Sequence, residues 1–129
     1  MSGKELQCKE KNISFHYTIN RQCISLMNEV DLALLLINSL DNAIENIAEN
    51  NREIYLDIKE DHNAVIMKVE NSVDIDVLKE NPTLESQKKD KKAHGYGITS
   101  LKMLVEKYKG NITFTQKEDR FYVLMYFPL

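Results

Sequence analysis

Two asparagines, Asn38 and Asn42, stand one helical turn apart inside LLLINSLDNAIENI, residues 34–47. An amide is a poor helix-interior side chain, because it competes for main-chain hydrogen bonds. As a ligand, however, its oxygen is hard and neutral. It suits a Mg²⁺ ion that also holds a nucleotide's phosphates. A second element, HGYGITSLK at residues 94–102, places two glycines directly before a helical pattern. Glycines let main chain approach a ligand, and a helix start offers free N–H groups and partial positive charge to an anion. Turn chemistry and capping also account for such a GxG step. In the third element, VENSV at residues 69–73, Asn71 either reads the edge of a nucleobase or belongs to a strand-ending Asn-Ser turn. Lys88, Lys89, Lys91 and Lys92 form a basic run that either clamps phosphates or is simply solvated. The chain has no GxxxxGK[ST] loop, no strand leading directly into the GxG step, and no Ser-His-Asp or Cys-His spacing.

These residues need elements to hold them. At roughly 100° per residue, Asn38, Asn42, Glu45 and Glu49 fall within about 60° of one another on a helix. Ala33, Ile37, Leu40, Ile44 and Ile47 fall on the opposite side. One face is therefore expected to bury against a sheet. The other presents amides and carboxylates, as a site or as a solvated surface. The helix should run over 29–48, capped by Asn28 or Asp31. Period-two patterns predict strands over 13–19, 52–60 and 64–71, with a hairpin turn at Asp61, His62 and Asn63. A short helix is expected at 74–79. From about residue 80 to 96 the polar, lysine-bearing stretch reads as a mobile lid. A second helix ends at Gly110, and two last strands flank Lys117, Glu118 and Asp119. The expected fold class is α+β, a two-layer sandwich with helices on one face of a mostly antiparallel sheet.

Composition narrows the function. A chain of 129 residues, 43% of them hydrophobic, fits one core. The net charge of −3 argues against a dedicated nucleic-acid binder. No apolar run, the one at 32–37 included, is long enough to span a membrane. The first twelve residues lack the apolar segment of a signal peptide and read as an N-terminal extension or expression remnant. Cys8 and Cys23 lack CxxC spacing and read as free thiols in a reducing compartment.

In this order, INSLDNAIENI, VENSV and HGYGITSLK resemble the N box and the two glycine boxes of one ATP-binding superfamily. Its members include gyrase, the heat-shock chaperones, MutL and sensor histidine kinases, and its fold is the Bergerat-type two-layer sandwich. The resemblance covers about residues 13–129. It is nearest to the catalytic domain of histidine kinases of the Agr-type peptide-pheromone branch. Asn71 stands for the usual aspartate, no phenylalanine lies between the glycine boxes, and Glu45 replaces a basic residue.

The resemblance implies ATP and Mg²⁺ as cofactors, with Asn42 as the Mg²⁺ ligand. Asn38 matches the position of the glutamate general base in ATP-hydrolysing relatives, and is the candidate catalytic residue. The implied nucleotide-contacting set is Asn38, Asn42, Asn46, Asn71, Lys92, His94, Gly95, Tyr96, Gly97 and Ile98, the last four largely through main-chain amides. An amide cannot take a proton from water, so such a site should spare ATP from hydrolysis and pass the phosphoryl group to another nucleophile. The implied acceptor is a histidine on a helical dimerisation domain of the same kinase, with a response regulator downstream. No such helical hairpin lies before Ile13, so the chain is expected to be the cytoplasmic catalytic portion of a membrane-anchored bacterial sensor kinase. It should itself contact neither membrane nor nucleic acid. An anti-sigma-type serine kinase, or a non-catalytic nucleotide-sensing or docking module, are the competing readings.

Overall fold

The structure is a computed structural model and describes residues 2–20, 25–80 and 96–129. The elements in chain order are α1 (Ser2–Glu10), β1 (Ser14–Ile19), α2 (Glu29–Glu45), β2 (Glu53–Asp61), β3 (Ala64–Ser72), α3 (Val77–Glu80), α4 (Tyr96–Lys107), β4 (Asn111–Lys117) and β5 (Arg120–Pro128). Five strands form one sheet in the order β1-β2-β3-β5-β4. Only the β1–β2 pair is parallel, and α2 makes its crossover. This is the expected α+β sandwich.

The sheet's helix-facing rows are apolar because the strands alternate. Leu56, Val69 and Val123 lie in register, as do Ile58, Met67 and Met125. All six are at most 1% exposed. Leu35, Leu40, Ala43 and Ile44 of α2, with Leu101 and Val105 of α4, complete the same core. Each of these leucine, isoleucine, valine and methionine side chains contributes about 1.5–3 kcal/mol by leaving water. Local chemistry turns the chain between strands. His62 and Asn63 both adopt positive φ, 51° and 60°, as the two-residue hairpin between β2 and β3 requires. Helix α4 stops in a left-handed cap: Lys109 has φ 59°, its N–H reaches Glu106 O, and Gly110 N–H reaches Val105 O at 2.8 Å. A Cβ on Gly110 would stand 2.3 Å from Tyr126 O, so close approach to β5 demands glycine there.

Three findings add to or differ from the expectations. Residues 1–12, expected as an N-terminal extension or expression remnant, carry α1, which ends in its own left-handed cap at Asn12, φ 58°. It docks by burying Cys8, a free thiol that desolvation pushes above its ordinary pKa, and by a Lys4–Asp41 ion pair. Leu6 stays exposed, so no amphipathic stripe announced the helix. Second, α2 is rotated from the expected orientation. Ala33 and Ile37 are exposed, whereas Ser39 and Asn42 are buried. Small residues face inward because α2 packs against α4 as well as the sheet, and Ser39 Oγ satisfies itself on Leu35 O at 2.6 Å. Third, α2 ends at Glu45 rather than Ala48, because the Asn46 side chain folds back onto the last turn. Residues 81–95 of the stretch expected as a lid, Lys92, His94 and Gly95 among them, and Cys23 lie outside the described residues. No helix among the described residues is long and apolar enough to cross a membrane.

Candidate functional site

Helix α2 begins with Asn28 as its N-cap, Oδ1 accepting from Asp31 N–H at 2.8 Å. Asp31 is then free to bind across to the other helix. Its carboxylate accepts from Lys107 Nζ at 2.8 Å and from Tyr108 OH at 2.6 Å. The Lys107 and Tyr108 hydrogen bonds hold Asp31 below the usual carboxylate range, and the Asp31 bond raises Lys107. The start of α2 is thus tied to the end of α4, and the two helices run antiparallel. Half-way along α2, Asn38 then meets the beginning of α4. A Cβ built on Gly97 would lie 4.0 Å from Asn38 Oδ1.

One turn on, Asn42 is 8% exposed. Its Oδ1 accepts from Asn46 Nδ2 at 3.2 Å, while its own Nδ2 is buried with no hydrogen-bond partner among the described residues. Asn46 Nδ2 also donates to Asn42 O at 2.9 Å. Asn71 sits inward on β3, in register between Ile54 and Phe121, and is 1% exposed. Its Nδ2 donates to Ser72 O at 3.1 Å and reaches Asn46 O at 3.5 Å. Residues beyond α2 are stitched to the end of β3 by Ala48 N–H to Ser72 O and Glu49 N–H to an Asp74 carboxylate oxygen at 2.7 Å. Gln116 of β4 fixes the lead-in to α3, accepting from Val77 N–H and donating to Ile75 O, each at 2.9 Å.

The structure therefore brings together Asn38 with Gly97, Asn42 with Asn46, and Asn46 with Asn71. Ile98 is 7% exposed and its side chain belongs to the core, so it has only main chain to offer a ligand. Tyr96 opens α4. Asn46 entered the sequence reading through resemblance alone; the continuing four-residue spacing of Asn38, Asn42 and Asn46 was the available signal. Gln116 and Asp74 carried no signal, because their partners are main-chain groups far away in sequence.

The GHKL domain model matches residues 27–128, from the residue before the α2 cap to the last residue of β5. This chain belongs to the GHKL domain family. The GHKL domain is similar in structure to the catalytic domain of histidine kinase ThkA, with a TM-score of 0.71 and 22% identity over 96% of this chain and 84% of that one. It also resembles Acinetobacter baumannii histidine kinase AdeS, with a TM-score of 0.69 at 13% identity over 98% of this chain and 59% of that one. The histidine kinase domain of the blue-light activated kinase from Erythrobacter litoralis gives a TM-score of 0.66 at 14% identity, over 91% and 52%. The GHKL domain thus spans little more than half the length of the last two. At such identities the likeness speaks for the fold. No curated protein sequence matches the chain.

Proposed function

We propose that this GHKL domain is the ATP-binding catalytic domain of a sensor histidine kinase, of the Agr-type branch. It would transfer the γ-phosphoryl group of ATP to a histidine on a helical dimerisation domain. The observation that carries this reading is the approach of Asn38 to Gly97, with Asn42, Asn46 and Asn71 on the same side of the fold. Helix α4 would offer its leading main-chain N–H groups, Tyr96 to Ile98, to the phosphates, joined by that of Gly95, which lies outside the described residues. Asn71 would face the base, and Lys92 and His94, which lie outside the described residues, would contact the nucleotide.

The residues fit Mg²⁺. One lone pair of Asn42 Oδ1 is engaged by Asn46 and the other can meet a hard cation, while the orphaned Nδ2 can donate to a phosphate oxygen. Bound Mg²⁺ would neutralise charge on the phosphates. Asn38, at the position of a general base in hydrolysing relatives, cannot deprotonate water. The Pγ–O bond to ADP would break as a neutral imidazole nitrogen of the acceptor histidine bonds to phosphorus, so the site's task is positioning and exclusion of water. The domain would act on the cytoplasmic side of a membrane-anchored kinase, with a response regulator downstream.

Titration with Mg-ATP, followed by incubation of labelled ATP with a phosphoacceptor-helix fragment, tests the reading. Binding and an acid-labile label on the fragment are expected. Absence of binding overturns it, and an acid-stable label would mark a serine kinase instead.

A further inference from the structure

We propose that Asn46 is a positioning residue that locks the carboxamide of Asn42 in one orientation, leaving one lone pair of Oδ1 for a cation and Nδ2 turned as a donor toward a ligand oxygen. The inference rests on the nucleotide-binding reading above.

Asn46 Nδ2 lies 2.9 Å from Asn42 O. A main-chain carbonyl only accepts, so the Asn46 atom facing it must be the nitrogen. The same nitrogen lies 3.2 Å from the Asn42 side chain, and its second hydrogen points there. Asn42 must therefore turn its oxygen toward Asn46. Its own nitrogen is forced to the far side, where it is buried and has no partner among the described residues. A buried donor without an acceptor is costly, and a ligand oxygen removes the cost.

Asn46 is itself well anchored. It is the C-cap of α2, with φ −100° and ψ 9°, and its main-chain N–H bonds back to Asn42 O and Ile44 O. Its main-chain carbonyl lies 3.5 Å from Asn71 Nδ2 on β3. One residue thereby joins the end of the helix to Asn42 on one side and to Asn71 on the other. Asn46 does this without needing to touch the ligand.

The test uses the full chain in two states. In nitrogen-15 spectra without ligand, the Asn42 side-chain amide pair, assigned by its disappearance in Asn42→Asp, should be narrow and slow to exchange. In Asn46→Ala it should shift and exchange faster. Mg-ATP affinity by calorimetry should fall about three- to tenfold, the worth of one hydrogen bond. Asn46→Asp covers the case in which the alanine variant unfolds. It keeps the size but removes the donor, so it should turn the Asn42 amide over and weaken Mg-ATP at least as much as alanine does. An Asn42 amide pair unchanged in a folded Asn46 variant, or an unchanged affinity, overturns the proposal. A protected amide pair in a wild-type chain that binds no Mg-ATP supports the lock and overturns the nucleotide-binding reading.

Discussion

The side-chain oxygen of Asn38 faces the open space over Gly97, 4.0 Å from where a Cβ would stand. A methyl group there fits without clash, in a helix where Gly97 does not use positive φ. Gly97→Ala should then stabilise the fold by about 0.5–1 kcal/mol, since alanine loses less conformational freedom in a helix. The same methyl would fill the space beside Asn38, so Mg-ATP affinity should fall by roughly tenfold or more, a loss of about 1.4 kcal/mol at least. Thermal melts and calorimetry on one variant check both signs, and a stabilised protein that binds normally would remove Gly97 from the site.

Asn38 itself decides hydrolysis in the proposed mechanism. Wild-type protein should release phosphate from ATP very slowly. Asn38→Glu supplies a carboxylate in a position to accept a proton, and should raise that rate by about tenfold or more, toward the range usual for a general base. A coupled phosphate assay measures it. A fast wild-type ATPase contradicts the argument.

Gly110 and Lys109 predict opposite shifts in stability from adjacent positions. Gly110→Ala drives a Cβ to 2.3 Å from Tyr126 O. The main chain of β5 must move, and overpacking of this kind costs about 1–3 kcal/mol. Lys109 already adopts φ 59°, so Lys109→Gly should relieve strain and stabilise by up to about 1 kcal/mol. Urea unfolding midpoints distinguish them.

Acid should loosen the Asp31 clasp. The Lys107 and Tyr108 hydrogen bonds lower the folded-state pKa of Asp31 below its unfolded value. Its contribution is therefore fully present above the unfolded value, about 3.9, and is lost as pH falls through the folded one. Asp31→Asn should be less stable than wild type at neutral pH, and the gap in urea midpoint should close as pH falls below about 4. A gap constant down to strongly acid pH would show that the charge contributes nothing.

The fold class, both hairpins and α4 were legible because their signals are local. The strands alternate, Asp61-His62-Asn63 has turn chemistry, and Gly110 marks a helix end. Asn38 and Asn42 stood out because amides interrupt an apolar helix. The orientation of α2 was not legible. A hydrophobic tally favours Ala33 and Ile37, but packing of α2 on the sheet and α4 turns Ser39 and Ala43 inward. Helix α1 was invisible because what docks it, Lys4 on Asp41 and Cys8 in the core, is tertiary. The role of Asn46 needed the direction of its amide, which no spacing encodes.

The parallel pairing of β1 has a consequence for how the molecule breathes. Among the described strands this edge strand pairs with β2 only, from Ser14↔Glu53 to Ile19↔Ile58, and the crossover between them is α2, the very segment that carries the asparagines. Whatever frays that crossover loosens the border of the sheet as well. Amide protons of β1 should thus act as a distant gauge of the asparagine helix, trading with solvent sooner when it loosens and later when a ligand steadies it.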